Sequence, residues 1–512
     1  MLAFLKKRLF KFVSFLGFMA GGAVSSFIFP PFEGAFYGYM VLCLSLCFLY
    51  GVEKVDKKVF WKAYLFGFSF YAVGFSWICN ALLIDEERFI GLIPLIFISI
   101  GLFFGLFVAV PAYLTKWGKS LSARIVIFCF SIVFFEWIRS FIFTGFPWNM
   151  LGTALAFDVR LIQGASFIGT YGLSLLYVLL ASSVSVLLLG IVRKKVYKEG
   201  IIVLLLPLVL LFAFSFNFKE FEDGKMKVRL VQPSIKQTLK WNRELLYSNF
   251  RSYIDLSKSK SLDGVKLVVW GETATPYPVD FEPRYLNEMK EAIGEDGFLA
   301  TGLIRYSIEN GEYRPYNSLF VINDRGEIKD YYDKVHLVPF GEYLPFRKYL
   351  PDFMKPIANA VGNLGRGEKY KNIKVAGLPL MGGAICYESI FPKEVINPNV
   401  KPEVLLVVAN DGWYGESSGP YQHLVSSQMR AIEEGVSVIR SANTGISAVI
   451  KPNGQVVGKI GLNEVGISDV MMPSVLSIDT LYGQYGNLIL FMMFVFGVVL
   501  VLILNQRKLS EE

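Results

Sequence analysis

Apolar residues are spread unevenly along this chain. Through the first 217 residues they run almost without a break, joined by short polar stretches. Residues 218–486 instead alternate short β-branched runs with amphipathic segments, and a last apolar run follows. A helix needs about 20 apolar residues to cross a bilayer. Eight segments come near that length: 12–29, 34–51, 63–83, 89–114, 125–143, 167–192, 201–216 and 488–504. The pattern predicts seven membrane-spanning helices over 1–217, a globular domain over 218–486, and an eighth span with a short tail over 487–512. Within the globular part, period-2 and β-branched runs predict strands at 227–232, 265–270, 298–303, 318–322, 384–387, 404–408 and 436–440. Period-3.6 stretches predict helices at 283–293 and 423–434. Short buried strands alternating with covering helices make this an α/β domain.

Charge gives the apolar segments a direction. Lys6, Lys7, Arg8 and Lys11 precede the first. Lys54, Lys57, Lys58 and Lys62 lie between the second and third, and Lys116, Lys119 and Arg124 between the fourth and fifth. Arg193, Lys194, Lys195 and Lys198 follow the sixth, and Arg507 and Lys508 follow the last. The third joint is Asp85-Glu86-Glu87-Arg88. Basic joints alternating with non-basic ones predict cytoplasmic termini and an outward-facing globular domain. The net charge of +8 is partly this address, so it does not point to nucleic acid. The first span lacks a small-residue cleavage site and is expected to stay as an anchor. Glu136 and Arg139, three apart on the fifth span, are expected to face one another as an ion pair that locks the bundle. Thr144-Gly145-Phe146-Pro147-Trp148-Asn149 reads as a re-entrant or interfacial turn with Trp148 at headgroup level.

Candidate chemistry is confined to the globular part. Four cysteines, Cys43, Cys47, Cys79 and Cys129, sit in apolar runs; Cys386 alone lies outside them, ending the small-residue run Met381-Gly382-Gly383-Ala384-Ile385. A lone thiol is more often a small buried hydrophobe than a nucleophile. Two other segments reverse that weighting. Glu272 follows the strand Leu267-Val268-Val269-Trp270, and Lys334 follows Tyr331-Tyr332-Asp333. Residues just past strand ends reach the ligand face of an α/β sheet. A carboxylate can take the thiol proton and an ammonium can hold a developing oxyanion. The sequence holds no P-loop or dinucleotide fingerprint. Its two histidines, His336 and His423, argue against a zinc site and a His-based triad.

The three segments resemble the Glu–Lys–Cys triad of the carbon–nitrogen hydrolase (nitrilase) superfamily. Trp270-Gly271-Glu272-Thr273, Lys334 through Pro345, Ile385-Cys386-Tyr387-Glu388 and Asn410-Asp411-Gly412-Trp413-Tyr414-Gly415 go further and resemble the bacterial apolipoprotein N-acyltransferase family. So do Gly145-Phe146-Pro147-Trp148 and Arg440-Ser441-Ala442-Asn443-Thr444-Gly445. The resemblance implies an α-β-β-α sandwich set between the seventh and eighth spans of a helical membrane bundle. It implies Cys386 as nucleophile, Glu272 as general base, Lys334 as oxyanion-stabilising cation and Glu342 as a further carboxylate. Tyr387 and Glu388 would flank the nucleophile, Trp241 would line a substrate-facing loop, and Asn410, Trp413 and His423 would support the pocket. Phospholipid would be the acyl donor and a diacylglyceryl apolipoprotein the acceptor, in the bacterial inner membrane with the domain in the periplasm. No cofactor, metal or nucleic acid enters this reading, and the chain is taken as a monomer.

Two other classes compete. A membrane-tethered amidase would use the same triad with water as acceptor. A transporter with an appended sensor would show internal repeats or broken midplane helices, and the sequence shows no repeat. The stretch between Gly341 and Gly367, with Phe346, Leu350, Phe353 and Met354 among Arg347, Lys348 and Lys355, suits insertion among anionic headgroups and acyl chains, the alternative being a loop packed on its own domain.

Overall fold

The computed structural model describes residues 2–194, 198–275, 277, 282–309, 311–345 and 364–511. They form two compact units, Met1–Phe218 with Tyr485–Glu512, and Lys219–Gln484. The basic and apolar stretch 346–363 lies outside the described residues.

The first unit is helical and is that of a multi-pass membrane protein. Five helices are long and apolar enough to cross a membrane: Phe32–Gly51, Ile90–Trp117, Leu121–Arg139, Ala165–Arg193 and Asn487–Gln506. Lys57–Gly74 and Ser76–Asp85 make a sixth if counted as one span bent by 45°. The first and seventh apolar segments form shorter apolar helices, Ser14–Ile28 and Val203–Ser215.

Two expectations for this unit need correction. Glu136 and Arg139 are both buried, at 3% and 1% exposure, but they form no ion pair. Arg139 donates to the carbonyl oxygen of Trp148 at 2.6 Å, and Glu136 Oε1 accepts from the amide of Leu151 at 2.7 Å. The segment after the helix turns back and offers each group a main-chain partner of its own. Trp148 is not a surface anchor. It is buried, tilted against Trp77 at 4.5 Å between ring centroids and stacked on Phe146 at 5.9 Å. A headgroup-level tryptophan would keep one edge exposed; this one fills the interior.

The second unit is a four-layer sandwich. Strands β1 (Asp223–Gln232), β2 (Val265–Val269), β3 (Phe298–Glu309), β4 (Glu312–Asn323) and β5 (Ile328–Asp333) form one sheet with β12 (Gly466–Pro473), in the order β12-β1-β2-β3-β4-β5. Strands β6 (Asn372–Ile373), β7 (Met381–Ile385), β8 (Val404–Ala409), β9 (Ser437–Ala442), β10 (Ser447–Ile450) and β11 (Val456–Ile460) form the other, in the order β11-β10-β9-β8-β7-β6. The central strands of each sheet, β1-β2-β3 and β7-β8-β9, are parallel. Strand periodicity of two sorts their residues. Val228, Leu230, Leu267 and Val269 of one sheet meet Ile385, Leu406, Val408 and Ile439 of the other in a shared core. Val231 and Val268 point the opposite way, onto Phe250, Tyr253 and Ile254 of the helix Leu246–Ser257. Leu405 and Val407 likewise back onto Leu424 and Ala431 of the helix Gly419–Glu434. Strands buried on both faces explain the continuous apolar runs of the sequence.

Candidate active site

The parallel strands of both sheets end at one place. Glu272 lies three residues past β2, Lys334 one past β5, Cys386 one past β7 and Asn410 one past β8. Gly302 of β3 lets this convergence close: a side chain there would sit 2.7 Å from the Cα of Glu272. The strand expected over 384–387 stops at Ile385. Cys386 instead takes a left-handed backbone, φ 52°, and opens the short turn Cys386–Ile390. A non-glycine residue in that region costs about 1–3 kcal/mol and persists only where its surroundings hold it.

Those surroundings are polar and specific. Glu388 Oε2 accepts from the amide of Ile385 at 2.7 Å. Glu388 Oε1 accepts from the amides of Val335 at 2.7 Å and His336 at 2.9 Å, and from the Tyr332 hydroxyl at 3.0 Å. One buried carboxylate thus ties the Cys386 turn to the segment carrying Lys334. Beneath the turn, the Cys386 carbonyl oxygen lies 3.0 Å from His423 Nε2 and accepts from Ser389 Oγ at 3.1 Å. His423 Nδ1 is 2.7 Å from Asp411 Oδ1, and Arg440 donates to Asp411 Oδ2 at 2.7 Å. Burial, then the Arg440 guanidinium, lower the His423 pKa, so the ring is neutral near neutral pH. Burial opposes the charge on Asp411, but Arg440 and His423 outweigh it and hold the carboxyl below its ordinary range.

Lys334 is almost fully enclosed, with 1% exposure. Its ammonium donates to Glu342 Oε1 at 2.8 Å and lies 3.5 Å from Glu272 Oε1. Asn317 of β4 donates to the same Glu272 oxygen at 2.7 Å and to Glu342 at 3.3 Å. Glu342 Oε2 accepts from the amide of Val338, closing its own loop. Burial works against a charge on Lys334. Glu342 first and Glu272 second overcome it and hold the ammonium well above lysine's ordinary pKa. Cys386 behaves oppositely. Burial raises its pKa, Glu272 raises it further, and Lys334 only partly offsets them, so the resting group is a neutral thiol. Its Sγ is 3.8 Å from the Tyr414 hydroxyl.

The other sequence candidates lie around this centre. Tyr387 is buried against His336 and Phe391. Asn410 donates to Gln237 Oε1 at 2.8 Å, and Trp413 lies half-buried in the turn Asp411–Trp413. Trp241 is half-buried at the end of the turn Gln237–Lys240. Sequence reading missed Asn317, Lys240, Asp411, Tyr414 and Arg440. Asp411, Tyr414 and Arg440 stand inside segments already singled out, and Lys240 directly precedes Trp241. Asn317 sits mid-strand, and nothing in its neighbours marks it.

Among the described residues, Cys386, Asp411 and His423 are the one group that brings metal-ligating atoms together, within 4.8 Å of one another. Both His423 nitrogens already face hydrogen-bond partners, and Arg440 lies against Asp411. That donor set does not suit a cation.

Residues 227–478 match the carbon-nitrogen hydrolase family, and residues 21–183 match the apolipoprotein N-acyltransferase N-terminal domain. An apolipoprotein N-acyltransferase of Rickettsia typhi is 34% identical over 490 residues, 93% of this chain and 95% of that one. One of Brucella melitensis is 34% identical over 482 residues, 88% of each chain. An amidase from Nesterenkonia sp. is 19% identical, covers 49% of this chain and 92% of its own, and has a TM-score of 0.36.

Proposed function

The chain belongs to the apolipoprotein N-acyltransferase family and is an acyltransferase, and on that premise we propose that it transfers a fatty acyl chain in two steps through a thioester on Cys386. The observation that carries this reading is Lys334, held charged in a closed cage with Glu272 and Glu342 beside the one thiol outside the helical unit.

In the first step Glu272 takes the proton of the Cys386 thiol as Sγ attacks the ester carbonyl of a phospholipid. The carbonyl oxygen becomes an oxyanion beside the Lys334 ammonium. Collapse breaks the ester C–O bond, Glu272 returns its proton to the leaving glycerol oxygen, and a lysophospholipid departs. In the second step the free α-amine of a diacylglyceryl-cysteine attacks the thioester. Its lost proton passes to Glu272, the C–S bond breaks, and the sulfur recovers the proton. A buried thioester divides one difficult transfer into two easier ones. Preorganised charge at the oxyanion typically contributes about a hundredfold or more. Glu342 holds Lys334 in place and Asn317 orients both carboxylates. Trp241, Tyr387 and Trp413 would line or support the substrate pocket. The alternating basic joints support a cytoplasmic-membrane protein with this unit in the periplasm.

A thioester loaded from phospholipid should discharge onto a diacylglyceryl peptide with a free N-terminus and yield an N-acylated peptide. The N-acetylated peptide should leave the thioester in place. Equal decay with both peptides would make water the acceptor, and the enzyme a hydrolase.

A further inference from the structure

The turn Gln237–Lys240 hides a second lysine at the site. Lys240 is 6% exposed. Its Nζ donates to the carbonyl oxygen of Glu272 at 2.9 Å and to Thr273 Oγ1 at 3.0 Å. Among the described residues it forms no salt bridge, so two uncharged oxygens are its direct partners. Enclosing an ammonium this way is costly. A neutral donor would anchor the turn as well, so the charge itself needs a reason.

Charge balance supplies one. Lys334 stands against two carboxylates, Glu272 and Glu342. When the Cys386 proton moves to Glu272, the negative charge relocates to the substrate oxyanion and the total is unchanged. With Lys334 alone, the Lys334–Glu272–Glu342 group carries one net negative charge throughout, and the buried Glu388 carboxylate near Lys334 adds to the negative surroundings. One more ammonium brings Glu272, Glu342, Lys334 and Lys240 together to zero. Lys240 lies on the Glu272 side of the centre, and its charge is coupled to both Glu272 and Cys386. Its hydrogen bonds also hold a strained strand end, since Thr273 has φ 44°. The next residue, Trp241, is thereby fixed relative to Glu272.

We propose that Lys240 is a positioning residue: its ammonium pins the Glu272–Thr273 strand end and supplies the second positive charge that the Glu272–Glu342 pair requires while Cys386 is acylated. This rests on the thioester reading above. The titration of Lys240 is consistent with it. Burial lowers the group to about 8, with Glu272 and then Cys386 opposing. The charged form is therefore present below about pH 8 and is lost above it.

The test is the single-turnover rate of Cys386 acylation by phospholipid in mixed micelles, followed by intact mass from about pH 6.5 to about pH 9.5. No amine acceptor is present, so acceptor ionisation plays no part. Wild type should slow above about pH 8, approaching a tenfold loss per pH unit. Lys240→Arg keeps its charge across the range and should show no such fall. Lys240→Met should be at least about tenfold slower at pH 7, with the fall absent. Should both variants fail to fold, Thr273→Val decides the matter. It removes one of the two oxygens that favour the charged lysine, so the fall should move to lower pH. A wild-type rate level through pH 9.5 would overturn the proposal, as would a fall that Thr273→Val or Lys240→Arg leaves unmoved. Absence of any wild-type thioester would instead overturn the reading on which the proposal stands.

Discussion

Glu388 is the residue whose replacement tests the site's construction most sharply. Its two oxygens accept four hydrogen bonds, from Ile385, Val335, His336 and Tyr332, at 2.7 to 3.0 Å. Each buried donor left without a partner costs about 1–3 kcal/mol. Glu388→Ala orphans all four, a loss of roughly 4–12 kcal/mol before relaxation, comparable with the whole stability of about 5–15 kcal/mol of an ordinary domain. The alanine variant should not give a stable second unit. Glu388→Gln is milder. Its carbonyl oxygen can keep the three donors at the Oε1 position, which sets the amide orientation. The new NH2 then faces the Ile385 amide, donor against donor, at a cost of about 1–3 kcal/mol. For a unit of this size that lowers the melting temperature by roughly 2–12 °C. The lost bond belongs to the residue before Cys386, so the left-handed turn loosens where the sulfur must be aimed. If the full cost reaches the transition state, acylation slows about fivefold to about 160-fold. Thermal unfolding in detergent and single-turnover acylation measure the two effects side by side. Glu388→Gln with wild-type melting and wild-type acylation would refute this account of the turn, and so would a folded, active Glu388→Ala.

Lys334→Met should reduce acylation by at least about a hundredfold while the second unit still folds, with a lower melt because two buried carboxylates are left facing one another. Near-normal turnover in that variant would remove Lys334 from the mechanism. His423 gives a pH effect whose sign follows from its lowered pKa. The unfolded chain takes up a proton near pH 6.5 and the folded ring does not, so its contribution is full above that pH and falls as pH drops through it, by up to about 1.4 kcal/mol per pH unit. Melts of wild type and His423→Gln between pH 7.5 and pH 5 should converge as the pH falls; parallel curves would contradict the assignment. A reporter active only in the periplasm should work when fused after Phe216 and stay silent when fused after Lys508, and the opposite pattern would invert the proposed orientation.

Much of this molecule is legible in its sequence because burial writes simple patterns. Helices in a membrane must be apolar along their length, so the five long apolar helices, the bent pair and the two shorter apolar helices all fall on apolar runs of the sequence, although the bend between Gly74 and Ser76 leaves no mark there. The central parallel strands are buried on both sides, and β2, β7 and β8 stand out as short apolar runs. The outer strands β5, β6, β11 and β12 mix polar and apolar positions and left no such mark. Glu272 and Cys386 stand out as candidates because a carboxylate or thiol just past a short apolar strand is conspicuous, whereas Lys334 follows the mixed strand β5 and is marked by the motif it opens, Lys334 through Pro345. Asn317 could not, since its role depends on two carboxylates 45 and 25 residues away. Glu136 and Arg139 show the limit of spacing arguments. Three residues apart on a helix puts them on one face, but main-chain groups of residues 148 to 151 meet them first. Trp148 shows the limit of composition, since an aromatic at a helix end can as well fill the interior as mark the surface.

The central claim is that Cys386 carries the acyl chain between donor and acceptor. It is tested most directly by intact mass spectrometry of the purified enzyme after incubation with a phospholipid of one defined chain, followed by peptide mapping. The account predicts one added acyl mass, located on Cys386, released by hydroxylamine and absent from Cys386→Ala. An active wild-type enzyme that never shows the mass, together with a Cys386→Ala variant that still acylates the acceptor peptide, would contradict it.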